Sequence, residues 1–453
     1  MTQDAPNLML IVVDCLRADR LTGEGGEAVT PFLNEAVERG VLFETTISVN
    51  SFTLPCMTSY LTGKYPFRHG LRLQSAAAGR LRDEHRLLPE WLKQAGYHTY
   101  AWIGGAVGRE HGFDRGIDAY AHGHRSASFQ EHFGPAVIED LQAGRLAEPW
   151  FVYVHILDVH EPRIIAPEFN HEAYGRHPYD RALSSLDPWL RRTVDAAGGD
   201  TVVAVTGDHG EGLGTSVKAQ ALERGRWLRG PVHRLLRTVL KPWWHRIGPR
   251  ITKAKQRVML SRGDPENIRG HGWACYDVHT RVPLLLLNVP GAAARRVTQM
   301  VRTVDFTPTV LDLLGAGGWQ SAGMDGVSLR PALEGQTLPP LEAYVENTQG
   351  HTGDVPLDQW RMAVRTDTAK YICSPFAEDP REELFDLAED PGETRNLAAE
   401  SPDRAREMRR RLEAVNPEVA TGEFGTGAGA IEALTDEDQA AVEQRLRDLG
   451  YID

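Results

Sequence analysis

The protein is 453 residues long, which suits a large α/β enzyme with an appended subdomain and allows a sizeable buried core. Hydrophobic residues make up 41% and charged residues 25%, a globular composition that excludes collagen-like, disordered and membrane-spanning chains. The formal net charge of −12 argues against a surface covered in positive charge, so we expect no sequence-specific nucleic-acid partner.

The four cysteines, Cys15, Cys56, Cys275 and Cys373, have neither the paired spacing of a metal site nor the density of a disulfide scaffold. They indicate free thiols in a reducing compartment. The first apolar run spans only residues 8–13, which is too short for a signal peptide or a membrane span. We therefore expect a cytoplasmic protein.

In chain order, three apolar runs predict buried strands at 8–13, 150–156 and 201–206. Each run is followed by polar residues at the end where an open α/β sheet places its ligands. These residues are Asp14 after the first run, Asp158 and His160 after the second, and Asp208 and His209 after the third. The alternation of strands and helices predicts a large, mostly parallel central sheet flanked by helices.

Helices are predicted at 31–40 and 87–96, each ending at a glycine cap, and at 304–315, entered through Pro308. Residues 281–291 predict a further buried strand. From residue 341 shorter strands follow, with a charged helix at 401–415. The predicted strands in this part are 342–347, 360–366, 369–375 and 383–387. We therefore predict a catalytic α/β domain at 1–340 and a small antiparallel-sheet subdomain at 341–453.

A basic insertion interrupts the catalytic domain at about 215–265. Residues 218–262 hold thirteen Lys and Arg against one acid, Glu223, a net +12 that leaves −24 for the rest of the chain. Trp243 and Trp244 lie within it. One interpretation is a solvated helical hairpin that balances an acidic body. The other is a lid or docking arm for a polyanionic or membrane-surface substrate, with the two tryptophans as interfacial anchors and the protein peripheral to the membrane.

Asp14, Asp208 and His209 are ligand types suited to one divalent ion such as Zn, Mn or Ca. Thr53 precedes Pro55 at the start of an apparent short helix, where the helix dipole and free N–H groups favour an alkoxide and an anionic substrate. A threonine at this position also suits a plain helix N-cap. From the residues alone, both interpretations of Thr53 stay open.

The motifs, taken together, resemble the sulfatase family of the alkaline phosphatase superfamily. They are VVDCLRAD (12–19), TPFLNEAVERGVLF (30–43), TLPCMTSYLTGKYPFRHG (53–70), GFDRGID (112–118), VHILDVHEP (154–162), TGDHGEG (206–212), HGWACYDVHTRVPLLL (271–286), TVDFTPTVLDLLG (303–315) and ELFDLAEDPGETRNLA (383–398). The resemblance implies an alkaline phosphatase-like fold and a metal site formed by Asp14, Asp208, His209 and the nucleophile at position 53.

The resemblance also implies that His160 and His271 contact the charged oxygens of an ester or protonate its leaving group. His155 and Arg17 are expected to contact the substrate, although His155 could equally face the core.

Three positions depart from the family pattern. Sulfatases convert a Cys or Ser in C-x-P-x-R to formylglycine, but Thr53 stands there, with Met57 in place of the arginine. The expected aspartate pair is Asp14-Cys15, and a K-W-H run is replaced by residues 105–107. We therefore expect no formylglycine.

These departures favour an anionic phosphate or phosphonate-type ester as substrate, because a sulfated threonine would be hard to turn over whereas a phosphothreonine can be resolved by water or an alcohol. The expected activity is a metal-dependent hydrolase or transferase with Thr53 as nucleophile. Two alternatives stay open: a sulfuric ester hydrolase that works without formylglycine, and a catalytically silent binding protein with the same fold. The sequence leaves the oligomeric state undetermined.

Overall fold

The computed structural model describes residues 5–122, 128–214, 265–348, 356–422 and 431–448. The basic segment 218–262, with Trp243 and Trp244, lies outside these ranges, so its predicted role stays a prediction. No helix in the described ranges is long and apolar enough to cross a membrane.

The described strands are β1 Leu8–Val13, β2 Val41–Ile47, β3 Arg80–Leu81, β4 His98–Ile103, β5 Ala119–His122, β6 Trp150–Ile156, β7 Val202–Thr206, β8 Arg281–Leu287, β9 Arg295–Val297, β10 Val301–Arg302, β11 Ala343–Asn347, β12 Arg361–Arg365, β13 Ala369–Cys373, β14 Glu383–Asp386 and β15 Ile431–Glu432. The described helices are α1 Asp19–Thr22, α2 Pro31–Arg39, α3 Thr53–Thr62, α4 Pro66–His69, α5 Leu88–Gln94, α6 Gly134–Gln142, α7 Pro178–Ala197, α8 Asp277–Thr280, α9 Phe306–Leu313, α10 Arg330–Leu333, α11 Pro402–Val415, α12 Pro417–Thr421 and α13 Asp436–Asp448.

The central sheet has, among the described residues, nine strands in the order β10-β2-β8-β7-β1-β6-β4-β5, with β9 also paired to β2. All its strand pairs are parallel except those that β8 makes with β2 and β7. The predicted mostly parallel α/β sheet is confirmed. Because β1 lies between β6 and β7 and runs parallel to both, the carboxyl ends of these three strands meet at one edge.

Strand β1 contributes side chains to both faces of the sheet, as the two-residue period of a buried strand requires. Leu8, Leu10 and Val12 join a cluster that includes α3, α5 and α9, whereas Met9, Ile11 and Val13 join a cluster that includes α2, α6 and α7. Helices therefore cover both faces, and polar groups are brought together at the edge of the sheet.

The C-terminal strands β11 to β14 form a four-stranded antiparallel sheet with α11 packed on β12 and β13, as predicted. The chain then returns to its N-terminal half. Strand β15 pairs antiparallel with β3, and Arg445 on α13 forms an ion pair with Glu110 at 2.7 Å.

Several predicted element ends differ from the observed ones. Gly40 follows α2 with a φ of −107°, so it is no left-handed cap; a Cβ there would lie 2.7 Å from the Leu286 carbonyl oxygen, and close packing requires the glycine. Strand β8 ends at Leu287 because Asn288 turns the chain with a φ of 55°. Helix α9 begins at Phe306, two residues before Pro308.

Candidate active site

Asp14 and Asp208 lie side by side because adjacent strands end in register. Val12 on β1 pairs with Thr206 on β7, so each aspartate follows its strand by one or two residues. Their side chains are 2% and 0% exposed. The Asp208 Oδ1 atom accepts hydrogen bonds from the backbone N–H groups of Cys15 at 3.1 Å and His209 at 2.8 Å. The loop after β1 and the loop after β7 are thus bonded to each other at the predicted metal residues.

Thr53 is the first residue of α3 and is 1% exposed. Phe52 is the N-cap residue, and the Leu54 N–H of the first turn donates to Gln74 Oε1 at 2.8 Å. The Thr53 hydroxyl instead donates to Asp14 Oδ2 at 3.3 Å and lies 3.5 Å from His209 Nε2. The plain N-cap interpretation of Thr53 is therefore wrong, since the hydroxyl faces the acidic cluster and not its own helix.

The cluster fits a divalent cation. Asp14, Asp208 and His209 each offer a ligand atom, and these atoms all lie within 4.8 Å of one another. Asp208 Oδ2 is buried and accepts no hydrogen bond from the described residues; it faces His209 Nε2 at 3.4 Å. His209 Nδ1 donates to the Gly210 carbonyl at 3.0 Å, so Nε2 is the ring nitrogen that faces the carboxylates. A buried carboxylate oxygen of this kind is normally satisfied by a hydrogen bond or a metal.

The electrostatics also favour a cation. Burial raises the pKa of Asp14, but the charges of His160 and His209 and a hydrogen bond from His155 outweigh it and hold that pKa well below its ordinary value. Burial, followed by the negative charge of Asp14, raises the pKa of Asp208. Burial lowers the pKa of His209, but the two carboxylates outweigh it and leave that pKa raised. Two carboxylates thus repel each other in a site without solvent, a repulsion that a divalent ion would remove.

The three predicted histidines surround this cluster. His155 on β6 lies 3.5 Å from Asp14 Oδ2 through Nε2 and bonds the Tyr153 hydroxyl at 2.8 Å, so its side chain positions Asp14 from the core side. The His160 and His271 rings are 5.1 Å apart, and His271 is 4.5 Å from the His209 ring. Burial, with the charge of His209 second, lowers the pKa of His271 to about 3, so its imidazole is neutral near pH 7.

Arg17 also lies at this edge, but its guanidinium is engaged within the protein. It forms ion pairs with Asp19 at 2.7 Å and Glu266 at 2.6 Å and donates to the Glu211 carbonyl at 3.0 Å. Its predicted contact with substrate stays a prediction. Asp158 accepts the backbone N–H of Phe129 at 2.7 Å and so orders a neighbouring segment.

Sequence reasoning missed two neighbours of the site. The Cys15 thiol is 0% exposed and donates to Asp14 Oδ1 at 3.1 Å. Glu211 forms an ion pair with Arg163 at 2.6 Å and lies 3.9 Å from His271 Nδ1. The signals were present in the sequence, because Cys15 replaces the second aspartate of the family pattern and Glu211 belongs to the TGDHGEG motif.

Comparison with known proteins agrees with this geometry. Residues 6–316 match the family described as Sulfatase, and residues 271–418 match the C-terminal region described as N-sulphoglucosamine sulphohydrolase, C-terminal. The chain belongs to the sulfatase family. The sulfatase-like resemblance predicted from the motifs is therefore confirmed.

Among sulfatase-family relatives, arylsulfatase A of Bos taurus is 25% identical over 86% of this chain and 83% of its own length. N-acetylgalactosamine-6-O-sulfatase of Bacteroides thetaiotaomicron is 22% identical over 59% of this chain, and the match spans 47% of that relative. The phosphonate monoester hydrolase of Agrobacterium radiobacter has the same fold, with a TM-score of 0.68 and 17% identity over 91% of this chain and 96% of its own.

Proposed function

We propose that this sulfatase-family chain is a metal-dependent hydrolase or transferase that acts on a phosphate or phosphonate-type ester, with Thr53 as nucleophile. The observation that carries the proposal is the position of the Thr53 hydroxyl, 3.3 Å from Asp14 Oδ2 and 3.5 Å from His209 Nε2. Both groups belong to the set that would hold the divalent ion, so the Thr53 oxygen lies where that ion would activate it.

The identity of residue 53 favours phosphorus over sulfur. A threonine cannot become formylglycine, and the nearby Cys56 thiol donates to the Asn50 carbonyl at 3.2 Å, outside the acidic cluster. Transfer to Thr53 forms an Oγ–P bond while the P–O bond to the leaving alcohol breaks. Water or an acceptor alcohol then breaks the Oγ–P bond and restores the hydroxyl. One relative in fold is named a phosphonate monoester hydrolase, which is consistent with this chemistry.

The remaining residues have complementary roles. A divalent ion held by Asp14, Asp208 and His209 would lower the pKa of the Thr53 hydroxyl and neutralise charge on the ester oxygens. Thr53 is the first residue of α3, so the dipole of that helix would favour negative charge at its hydroxyl. We assign to His160, whose ring lies 5.1 Å from that of His271, the role of giving the leaving alcohol its proton.

The test is an activity panel of aryl sulfates, phosphate monoesters, phosphate diesters and phosphonates, measured across Zn, Mn and Ca. We expect turnover of a phosphorus ester, its loss in Thr53→Ala by about 10³-fold or more with metal binding retained, and partial activity in Thr53→Ser. Thr58→Ala is the matched control, because among the described residues that buried hydroxyl on the same helix bonds only the Leu54 carbonyl, at 2.8 Å.

Three results would overturn the proposal. Substantial activity in metal-replete Thr53→Ala would show that Thr53 is not the nucleophile. Turnover of sulfate esters alone would favour a sulfatase that works without formylglycine. No turnover of any ester by the metal-loaded protein would favour a silent binding protein. Intact-mass measurement of the wild-type chain tests the expected absence of formylglycine at the same time.

A further inference from the structure

The residue that follows the first metal ligand projects into the same cluster. Cys15 Sγ lies 3.1 Å from Asp14 Oδ1, 3.6 Å from His271 Nδ1 and 3.8 Å from His209 Nδ1. Cys15 also forms candidate ligand groups with His209 and His271, and with Asp14 and His160, whose ligand atoms all lie within 4.8 Å of one another. The sulfur therefore contacts Asp14, one of the three residues that would hold the cation.

The distance to Asp14 is compatible with two ligands of one ion. Zinc bonds sulfur at about 2.3 Å and nitrogen or oxygen at about 2.0–2.2 Å, so two ligands of a tetrahedral zinc ion lie about 3.6 Å apart. Cys15 Sγ lies 3.1 Å from Asp14 Oδ1, closer than this because the thiol donates a hydrogen bond to that oxygen.

A second observation is independent of the cysteine. Asp208 Oδ2 is buried and has no hydrogen-bond partner among the described residues. It belongs to the ligand group of Asp14 and His209 and lies 3.4 Å from His209 Nε2. A buried carboxylate oxygen directed at this cluster calls for a ligand that protein groups do not supply.

The backbone holds the thiol in this direction. The Cys15 carbonyl accepts the Tyr179 hydroxyl at 2.8 Å, and its N–H donates to Asp208 Oδ1 at 3.1 Å. Both bonds fix the residue with a positive φ of 64°. The thiol is 0% exposed, so a large electrophile or oxidant from solvent does not reach it, whereas a cation already in the cluster does.

We infer that Cys15 is a thiolate ligand of the active-site cation and that the site therefore selects zinc over manganese, calcium and magnesium. Soft thiolate ligands favour Zn²⁺ and Co²⁺, whereas all-oxygen sites suit Mg²⁺, Ca²⁺ and Mn²⁺. The inference rests on the cation site of the proposed function and names its metal.

The test uses the spectrum of Co²⁺, which reports a sulfur ligand directly. Metal-depleted full-length protein is titrated with Co²⁺, and the thiolate-to-cobalt charge-transfer band in the near ultraviolet is recorded together with the visible d–d bands. We expect the charge-transfer band in the wild type and its loss in Cys15→Ser and Cys15→Asp. Competition between Zn²⁺ and Mn²⁺ should favour zinc in the wild type and shift toward manganese in Cys15→Asp, which keeps an oxygen ligand.

Cys56→Ser is the matched control. Cys56 is also buried and lies on α3, but its thiol contacts the Ser48 hydroxyl at 3.1 Å and forms none of the candidate ligand groups among the described residues. This variant should keep the charge-transfer band and the zinc preference.

Cobalt d–d bands without a charge-transfer band in the wild type would overturn the role of Cys15 and leave the cation site intact. A band that persists in folded Cys15→Asp would overturn it as well. Failure of the folded wild type to bind any of these cations would instead refute the cation site itself, and with it the proposed function.

Discussion

Lys370 joins the C-terminal sheet to the segment that leads from His271 into β8. Its side chain is 0% exposed, and Nζ lies 2.7 Å from Asp277 Oδ1 and 3.0 Å from Glu393 Oε1. Asp277 keeps a second cation, Arg365 at 3.1 Å, when Lys370 is removed. Lys370→Met therefore removes the ion pair with Asp277, and above the pKa of Glu393 it also leaves that carboxylate without its cation.

Removal of one partner of a buried pair costs about 3–5 kcal/mol. Burial raises the pKa of Glu393 from 4.5 to about 7 even though the charge of Lys370 lowers it. The folded protein therefore holds a proton that the unfolded chain loses above pH 4.5, and wild-type stability falls as pH rises from 4.5 to about 7. Without Lys370 the pKa of Glu393 rises further, so the free energy of unfolding continues to fall above pH 7. We expect Lys370→Met to lower the free energy of unfolding by about 3 kcal/mol at pH 6 and by about 1 kcal/mol more at pH 8.

The assay is urea denaturation followed by circular dichroism at pH 6 and pH 8. Lys93→Met is the matched control, because Lys93 contacts Asp118 at 2.5 Å with side chains that are 52% and 34% exposed. Such a surface pair should contribute less than about 1 kcal/mol. If Lys370→Met lowers the free energy of unfolding as little as Lys93→Met does, or if its effect decreases between pH 6 and pH 8, the reasoning is refuted.

Three further outcomes follow from the site. Replacement of the segment 215–264 by a short Gly-Ser linker should raise KM for the natural substrate and spare a small chromogenic ester, as steady-state kinetics would reveal; equal losses on both would contradict a docking role. Gly272→Ala should lower Tm and activity together, because φ is 84° and the new Cβ would lie 2.2 Å from the Phe52 ring; an unchanged Tm would contradict this. Burial raises the pKa of Glu211, but a hydrogen bond from His271 and the charge of Arg163 outweigh it and lower that pKa to about 2. Its stabilisation is present above pH 4.5 and is lost toward pH 2, so the gap in unfolding free energy between wild type and Glu211→Gln should narrow over that interval in acid titrations.

Polar residues that directly follow buried strands indicated the candidate metal ligands, because this pattern is visible in the sequence alone. A buried strand must run through the sheet, so Asp14 and Asp208 fall at its edge once β1 and β7 are recognised as parallel neighbours. The orientation of the Thr53 hydroxyl could not be predicted in this way. Whether it caps α3 or faces Asp14 depends on the angle at which α3 leaves β2, which a single sequence does not encode locally.

Contacts between residues far apart in the chain were the ones missed. Cys15 is a free thiol, as predicted, but its contacts with His209 and His271 were not expected, because these residues are 194 and 256 residues away in the chain. The ion pair of Arg17 with Glu266, 249 residues away, was likewise not expected, and the contact of Arg17 with substrate stays a prediction. The glycine at the end of α2, Gly40, is likewise required by packing against Leu286 of β8, which the helix propensity of the local sequence does not predict.

The antiparallel direction of β8 has a consequence for how this fold can change. Because β8 starts at the edge where β7 ends, the chain leaves and re-enters the site at adjacent points. The N–H of Gly214 donates to the Glu266 carbonyl at 3.0 Å, and Gly212 and Gly270 form an antiparallel bridge. Because the two ends of the inserted segment are bonded to each other, its length has little effect on stability: doubling a loop costs only about 0.6 kcal/mol. The length of the segment between these two points can therefore change without altering β7 or β8.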